Sequence, residues 1–151
     1  KNLLTEDMTL KKLLLATILL LSQSVLAEGV FTDAYVRDLI PGRPMSAGFF
    51  VFKNTSGEDI VLVGASSAAA KKVEMHTHIH ENGMMKMREM PSLTVSPNEE
   101  VVFKPGGYHL MMFECDKAAF DSGSVELVLL DAQGNEYRAQ AAVRSPHQMH
   151  H

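Results

Sequence analysis

The chain carries a single cysteine, Cys115, and no tryptophan. A lone thiol closes no intrachain disulfide. It builds no thiolate-rich zinc or iron–sulfur site. Without a second, resolving cysteine a thiol reductase is excluded as well. No cysteine stands at the expected cleavage point of the N-terminal segment, so a lipid anchor there is not expected. The run itself, Leu13 to Leu21, is shorter than the ~20 apolar residues that cross a bilayer. Cationic side chains are few: 14 Lys and Arg stand against 18 Asp and Glu, a net charge of −4, and a nucleic-acid groove has no electrostatic footprint here. Catalytic pairings are missing too. Glu81, Glu99 and Glu100 fall in expected turns without a partner nucleophile or base, and the serines lack a matching His and Asp arrangement, so the chain is not expected to be an enzyme.

Apolar residues make up 46% of the 151, enough for the core of one domain. The N-terminus reads as an export signal. Lys11 and Lys12 give a positive start, Leu13 to Leu21 an apolar stretch, and Val25-Leu26-Ala27 a small-residue cleavage point before Glu28. Residues 1–7 precede Met8 and look like an upstream extension. The expected organisation is therefore residues 1–27 as extension and signal, 28–144 as the folded domain, and 145–151 as a loose tail. A chain cut at Ala27 would be a soluble periplasmic protein without a membrane anchor.

Beyond Glu28 the sequence alternates short β-rich runs with turn residues, which predicts seven to nine strands. The strongest turn signal is Glu81-Asn82-Gly83, expected to join a strand from Lys72 to His80 with a return strand from Met84 to Met90. The one helix-like stretch is Ser66 to Ala70, about one turn. This spacing is that of an all-β, antiparallel β-sandwich in a single domain.

Methionine and histidine are abundant and clustered. Met75, Met84, Met85, Met87, Met90, Met111 and Met112 lie between positions 75 and 112, together with His76, His78, His80 and His109. Side chains alternate faces along a strand, so His76, His78 and His80 share one face, Met85 and Met87 share one, and His109 and Met111 share one. His76, Met87, His109 and Met111 can thus converge. Thioethers are soft and neutral and suit Cu(I), whereas zinc would call for Cys or carboxylate among its ligands. A neutral set of two imidazoles and two thioethers favours a singly charged ion, since burying a dication without anionic partners costs more. The other methionines, Met45, Met75, Met84, Met90 and Met112, are expected to fill the core, His78 and His80 to be solvated, and Cys115 to be a small buried residue.

The stretches Val73-Glu74-Met75-His76, Gly83-Met84-Met85-Lys86-Met87-Arg88 and Lys104-Pro105-Gly106-Gly107-Tyr108-His109-Leu110-Met111 resemble the periplasmic copper chaperones called PCu(A)C. That family's pattern, H-x10-M-x21-H-x-M, is met at His76, Met87, His109 and Met111. The resemblance implies a cupredoxin-like Greek-key sandwich holding one Cu(I) on those four residues. It implies a carrier that delivers copper to a respiratory oxidase, with an oxidase subunit or another copper chaperone as partner. A monomer is expected, with no nucleic acid bound. Storage or resistance by buffering is the alternative. Cys115 departs from the family pattern. Because it follows the His and Met in sequence, it also differs from blue-copper electron-transfer sites. The tail, with His147, Met149, His150 and His151, is a candidate secondary Cu(II) site or the start of an affinity tag.

Overall fold

The computed structural model describes residues 28–145, so the expected signal segment and the His/Met tail at 146–151 lie outside the described residues. Ten strands run β1 (Gly29–Arg37), β2 (Met45–Asn54), β3 (Ile60–Ser66), β4 (Ala70–Glu81), β5 (Met84–Glu89), β6 (Leu93–Val95), β7 (Glu100–Phe103), β8 (His109–Cys115), β9 (Ser124–Asp131) and β10 (Glu136–Arg144). One short helix, α1 (Lys117–Asp121), joins β8 to β9. No helix among the described residues is long and apolar enough to cross a membrane.

The strands hydrogen-bond in the order β5-β4-β8-β2-β1-β10-β9-β3-β6, with β7 on β2 and a further β3–β4 contact that closes the sheet on itself. The expected all-β sandwich is thus the fold, with one refinement: β1 and β10 pair in parallel, Val36 opposite Val143. A parallel pair needs a long connection, and here nearly the whole domain separates its two members. The interior is lined by Phe50, Phe52, Phe103, Leu110, Met112 and Leu127, all almost fully buried. Phe50 stacks on Phe103 with ring centroids 4.2 Å apart and meets Phe31 edge-on at 4.6 Å.

Local chemistry explains the elements that position the site. Asn82 and Gly83 both take positive φ, 53° and 75°, and Glu81 pairs with Met84 across them. This two-residue loop matches the strand twist and fixes the β4–β5 register. Before β8, Gly106 (φ 82°) turns the chain. The turn is closed by Gly107 N–H donating to the Lys104 carbonyl and Lys104 N–H donating to the Tyr108 carbonyl, both at 2.9 Å.

Two expectations about helix are overturned. Ser66 to Ala70 is the tail of β3 and a tight turn, closed by the Ala70 N–H on the Ser67 carbonyl and capped by the Ser67 hydroxyl accepting from Ala69 N–H. Its alanines suit a helix, but the serine side chain competes for the backbone and the turn wins. The actual helix, α1, starts where Asp116 accepts from Ala118 N–H as its N-cap.

Candidate metal centre

Strands β4 and β8 are adjacent and antiparallel, and their register aligns three pairs on one face: Lys72 opposite Phe113, Glu74 opposite Met111, and His76 opposite His109. On the other side of β4, strand β5 places Met87 opposite His78. The expected four residues therefore share one patch of one sheet face. Met75, Leu110 and Met112, of opposite parity, are buried beneath it.

His109 is buried, with 4% of its surface exposed. Its Nδ1 lies 3.0 Å from the Gly107 carbonyl. A carbonyl only accepts, so Nδ1 carries the hydrogen and Nε2 presents a lone pair. Burial pushes the His109 pKa down. The hydrogen bond to Gly107 opposes that shift, and the neighbouring His78, His76 and Arg37 add to it. The ring is thereby kept neutral, as a metal ligand must be.

His76 is held the other way round. Its Nε2 lies 2.7 Å from Glu74 Oε2, and Glu74 Oε1 accepts from Lys72 Nζ at 2.8 Å. Hydrogen bonds from Lys72 first and His76 second hold the Glu74 carboxyl below its ordinary range. An ionised carboxylate only accepts, so Nε2 is the protonated nitrogen and Nδ1 is free. The result is a pair of buried imidazole nitrogens, His76 Nδ1 and His109 Nε2, with no hydrogen-bond partner. Buried polar atoms rarely go unpaired, and two neutral imidazole lone pairs of this kind fit a metal ion. In each ring the other nitrogen is anchored, as is usual for metal-ligating histidine.

A cavity of about 450 Å³ opens at this patch and is lined by His78, Met87, His109 and Met111, with Arg37, Arg43 and Met45 at its rim. His76 stands beside it, its ring 5.7 Å from that of His109. Among the described residues, no three His, Cys, Asp or Glu side chains gather around a point that could hold a metal. Met111, on the inner strand β8, is half-buried, and Met87, on the edge strand β5, is 52% exposed.

Other expectations fare unevenly. Met75 and Met112 are core residues, Met90 packs against the core, and Cys115 is buried. Met45 and Met84 are not core filling: they begin strands at the cavity rim and on the outer edge, and are 42% and 58% exposed. His80 is exposed as expected, but His78 is half-buried with its ring 5.1 Å from His109. Glu74 and Lys72 are additions to the expected set, and both share the parity of His76.

The LpqE-like family matches residues 30–143. The chain belongs to the LpqE-like family. Among curated relatives, this LpqE-like chain is 32% identical over 99 residues to lipoprotein Lxx21020 of Leifsonia xyli subsp. xyli, covering 64% of the chain and 58% of the relative. It is 34% identical over 70 residues to the uncharacterized protein RP573 of Rickettsia prowazekii, covering 46% and 39%. It thus spans about half the length of the curated relatives it matches. Among solved structures it superposes on the copper-bound PCuAC domain of PmoF2 with a TM-score of 0.66 at 19% identity, over 81% of this chain and 97% of that one. The Cu(I) form of DR1885 from Deinococcus radiodurans gives 0.63 at 23% identity, over 85% of each chain. The fold that the sequence resemblance implied is the fold of these domains.

Proposed function

We propose that this LpqE-like protein binds one Cu(I) ion on His76 Nδ1, His109 Nε2 and the thioether sulfurs of Met87 and Met111, and carries it to an acceptor. The observation that carries this reading is the pair of buried, unpartnered imidazole nitrogens, each on a ring anchored through its other nitrogen, beside two thioethers of matching parity. Two neutral imidazoles and two neutral thioethers leave the ion's single charge uncancelled by any ligand, which suits Cu(I) and penalises a dication. Solved relatives of the same fold are described as copper-bound and Cu(I)-bound, which supports the choice of metal.

Copper arrives and leaves by ligand exchange. His109 and Met111 sit on the inner strand β8, while Met87 projects from the edge strand β5 where an acceptor's donor can compete with it. No chemical step is required of the protein, and the reading is of a carrier rather than an enzyme. The acceptor we favour is a copper site of a respiratory oxidase, or another copper chaperone that feeds it. The compartment we favour is the periplasm, supported by the signal-like N-terminus and by a relative named a lipoprotein.

The test is anaerobic Cu(I) titration against a chromophoric chelator. One tight equivalent is expected, and it should be lost in the His109→Ala, Met111→Ala double variant. Undiminished affinity in that variant would sink the assignment. Buffering of excess copper is the second reading. A deletion strain that keeps its oxidase activity at low copper yet becomes copper-sensitive would favour it.

A further inference from the structure

The run His76-Thr77-His78 puts a second imidazole on the same face of β4, and nothing in the four-residue set accounts for it. His78 is opposite Met87 in the β4–β5 register and lines the cavity with Met87, His109 and Met111, whereas His76 does not line it. The His78 ring is nearer to His109 than the His76 ring is, 5.1 Å against 5.7 Å between centroids. The two rings also differ in restraint. His76 is tied to Glu74, while neither ring nitrogen of His78 has a hydrogen-bond partner among the described residues.

We infer that His78 is an alternate imidazole donor for Cu(I), one that takes the place of His76 as the ion moves from the β4–β8 row toward the cavity. The inference rests on the copper reading above. In the exchange one copper–nitrogen bond forms at His78 as the one at His76 breaks; the ion stays Cu(I), and no electron or proton is transferred. Imidazole–metal bonds of ~2.0–2.1 Å let two rings at these separations ligate one ion. An untethered ring can turn to follow the ion, and a tethered one cannot. His76 therefore defines the resting site and His78 the path out. A donor that enters before another leaves avoids a three-coordinate, partly desolvated intermediate.

The experiment uses the full chain and the variants His76→Ala, His78→Ala and the double variant, each loaded with one Cu(I) under anaerobic conditions. Equilibrium affinity is read by competition with bathocuproine disulfonate, and the rate of copper transfer to the same chelator by stopped flow. Removing a directly ligating group is expected to cost at least the roughly 10–100-fold typical of lost metal-site partners. Here His76→Ala should lose less than the double variant by about that factor, because His78 substitutes. His78→Ala alone should hold its equilibrium affinity but transfer copper more slowly. The inference is overturned if His76→Ala binds as weakly as the double variant, or if His78→Ala transfers at the parental rate. The parental protein and the His109→Ala, Met111→Ala variant are run alongside. Failure of the former to bind Cu(I), or full binding by the latter, would refute the copper site itself rather than the role of His78.

Discussion

Glu74 Oε2 lies 2.7 Å from His76 Nε2, and this contact decides which nitrogen of His76 is free. With Nε2 occupied, Nδ1 is left buried and unpartnered, as is His109 Nε2. The two unpartnered nitrogens are thus of opposite type, on cross-strand rings whose centroids are 5.7 Å apart. Glu74→Ala should therefore weaken Cu(I) binding about 10–100-fold, as loss of such anchoring partners commonly does. Glu74→Gln, whose side-chain carbonyl can still accept from Nε2, should retain more affinity. Chelator competition reads the affinity, and long-range nitrogen–proton NMR of the metal-free protein reads the tautomer. An unchanged His76 tautomer in Glu74→Ala would remove the positioning role.

The proposed ligand Met87 and the core residue Met112 are expected to respond differently to substitution. Met112 is fully buried, so Met112→Ala should cost about 2–5 kcal/mol of folding stability through lost burial and the cavity left behind. Met87 is 52% exposed, so Met87→Ala should leave the urea midpoint nearly unchanged while weakening Cu(I) binding strongly. Chemical denaturation and copper titration on both variants check the division. A large stability loss in Met87→Ala would place it with the packing residues.

The shared face of the candidate site is legible in the residues alone, for a physical reason. Strand parity has a period of two, so the sequence by itself puts Met75, Leu110 and Met112 on the face under the site and His76, His109 and Met111 on the face above it. The Asn82-Gly83 turn is equally readable, because its two positive φ angles admit few other residues. Parity says which face a side chain takes but not what neighbours that face. His78 reads as solvated in the sequence because the pairing of β4 with β8, which seats its ring against His109, is a long-range contact. Glu74 is silent for a different reason: its contact with His76 is local, and period two places the two on one face, but only geometry shows its oxygen on the ring nitrogen. Ser66 to Ala70 misleads because alanine propensity is a weak prior that one serine side chain reverses.

Acid should destabilise the domain through Asp131. Burial disfavours its charged form. The hydrogen bonds donated by the Asn135 side chain and backbone, the Tyr137 hydroxyl and the Gln133 N–H outweigh that, and its carboxyl is held below the ordinary range. A depressed pKa in the folded state means that the unfolded chain takes up the proton first. The contribution is complete above the unfolded value, about 3.9, and is lost as pH falls through the lower folded value. Urea midpoints should thus drop below about pH 4, and Asp131→Asn should show a shallower acid limb from a lower starting point. A limb of unchanged slope in that variant would assign the acid sensitivity elsewhere.

Metal loading should leave a chemical mark on one exposed methionine and not on its neighbours. Met84, Met85 and Met87 are 58%, 57% and 52% exposed on β5, so a mild oxidant should convert all three to sulfoxides at similar rates in the metal-free protein. A thioether whose lone pair is engaged by a soft cation cannot be attacked there. Silver(I), soft and singly charged like Cu(I) but inert toward the oxidant, is the suitable probe. In the silver-loaded protein, peptide mass spectrometry should find Met87 protected, with Met84 and Met85 oxidised as before. Met111, half-buried beside His109, should be protected together with Met87. Equal oxidation of the three β5 methionines with silver bound would show that β5 contributes no ligand, and that the exposed thioether of Met87 only lines the cavity.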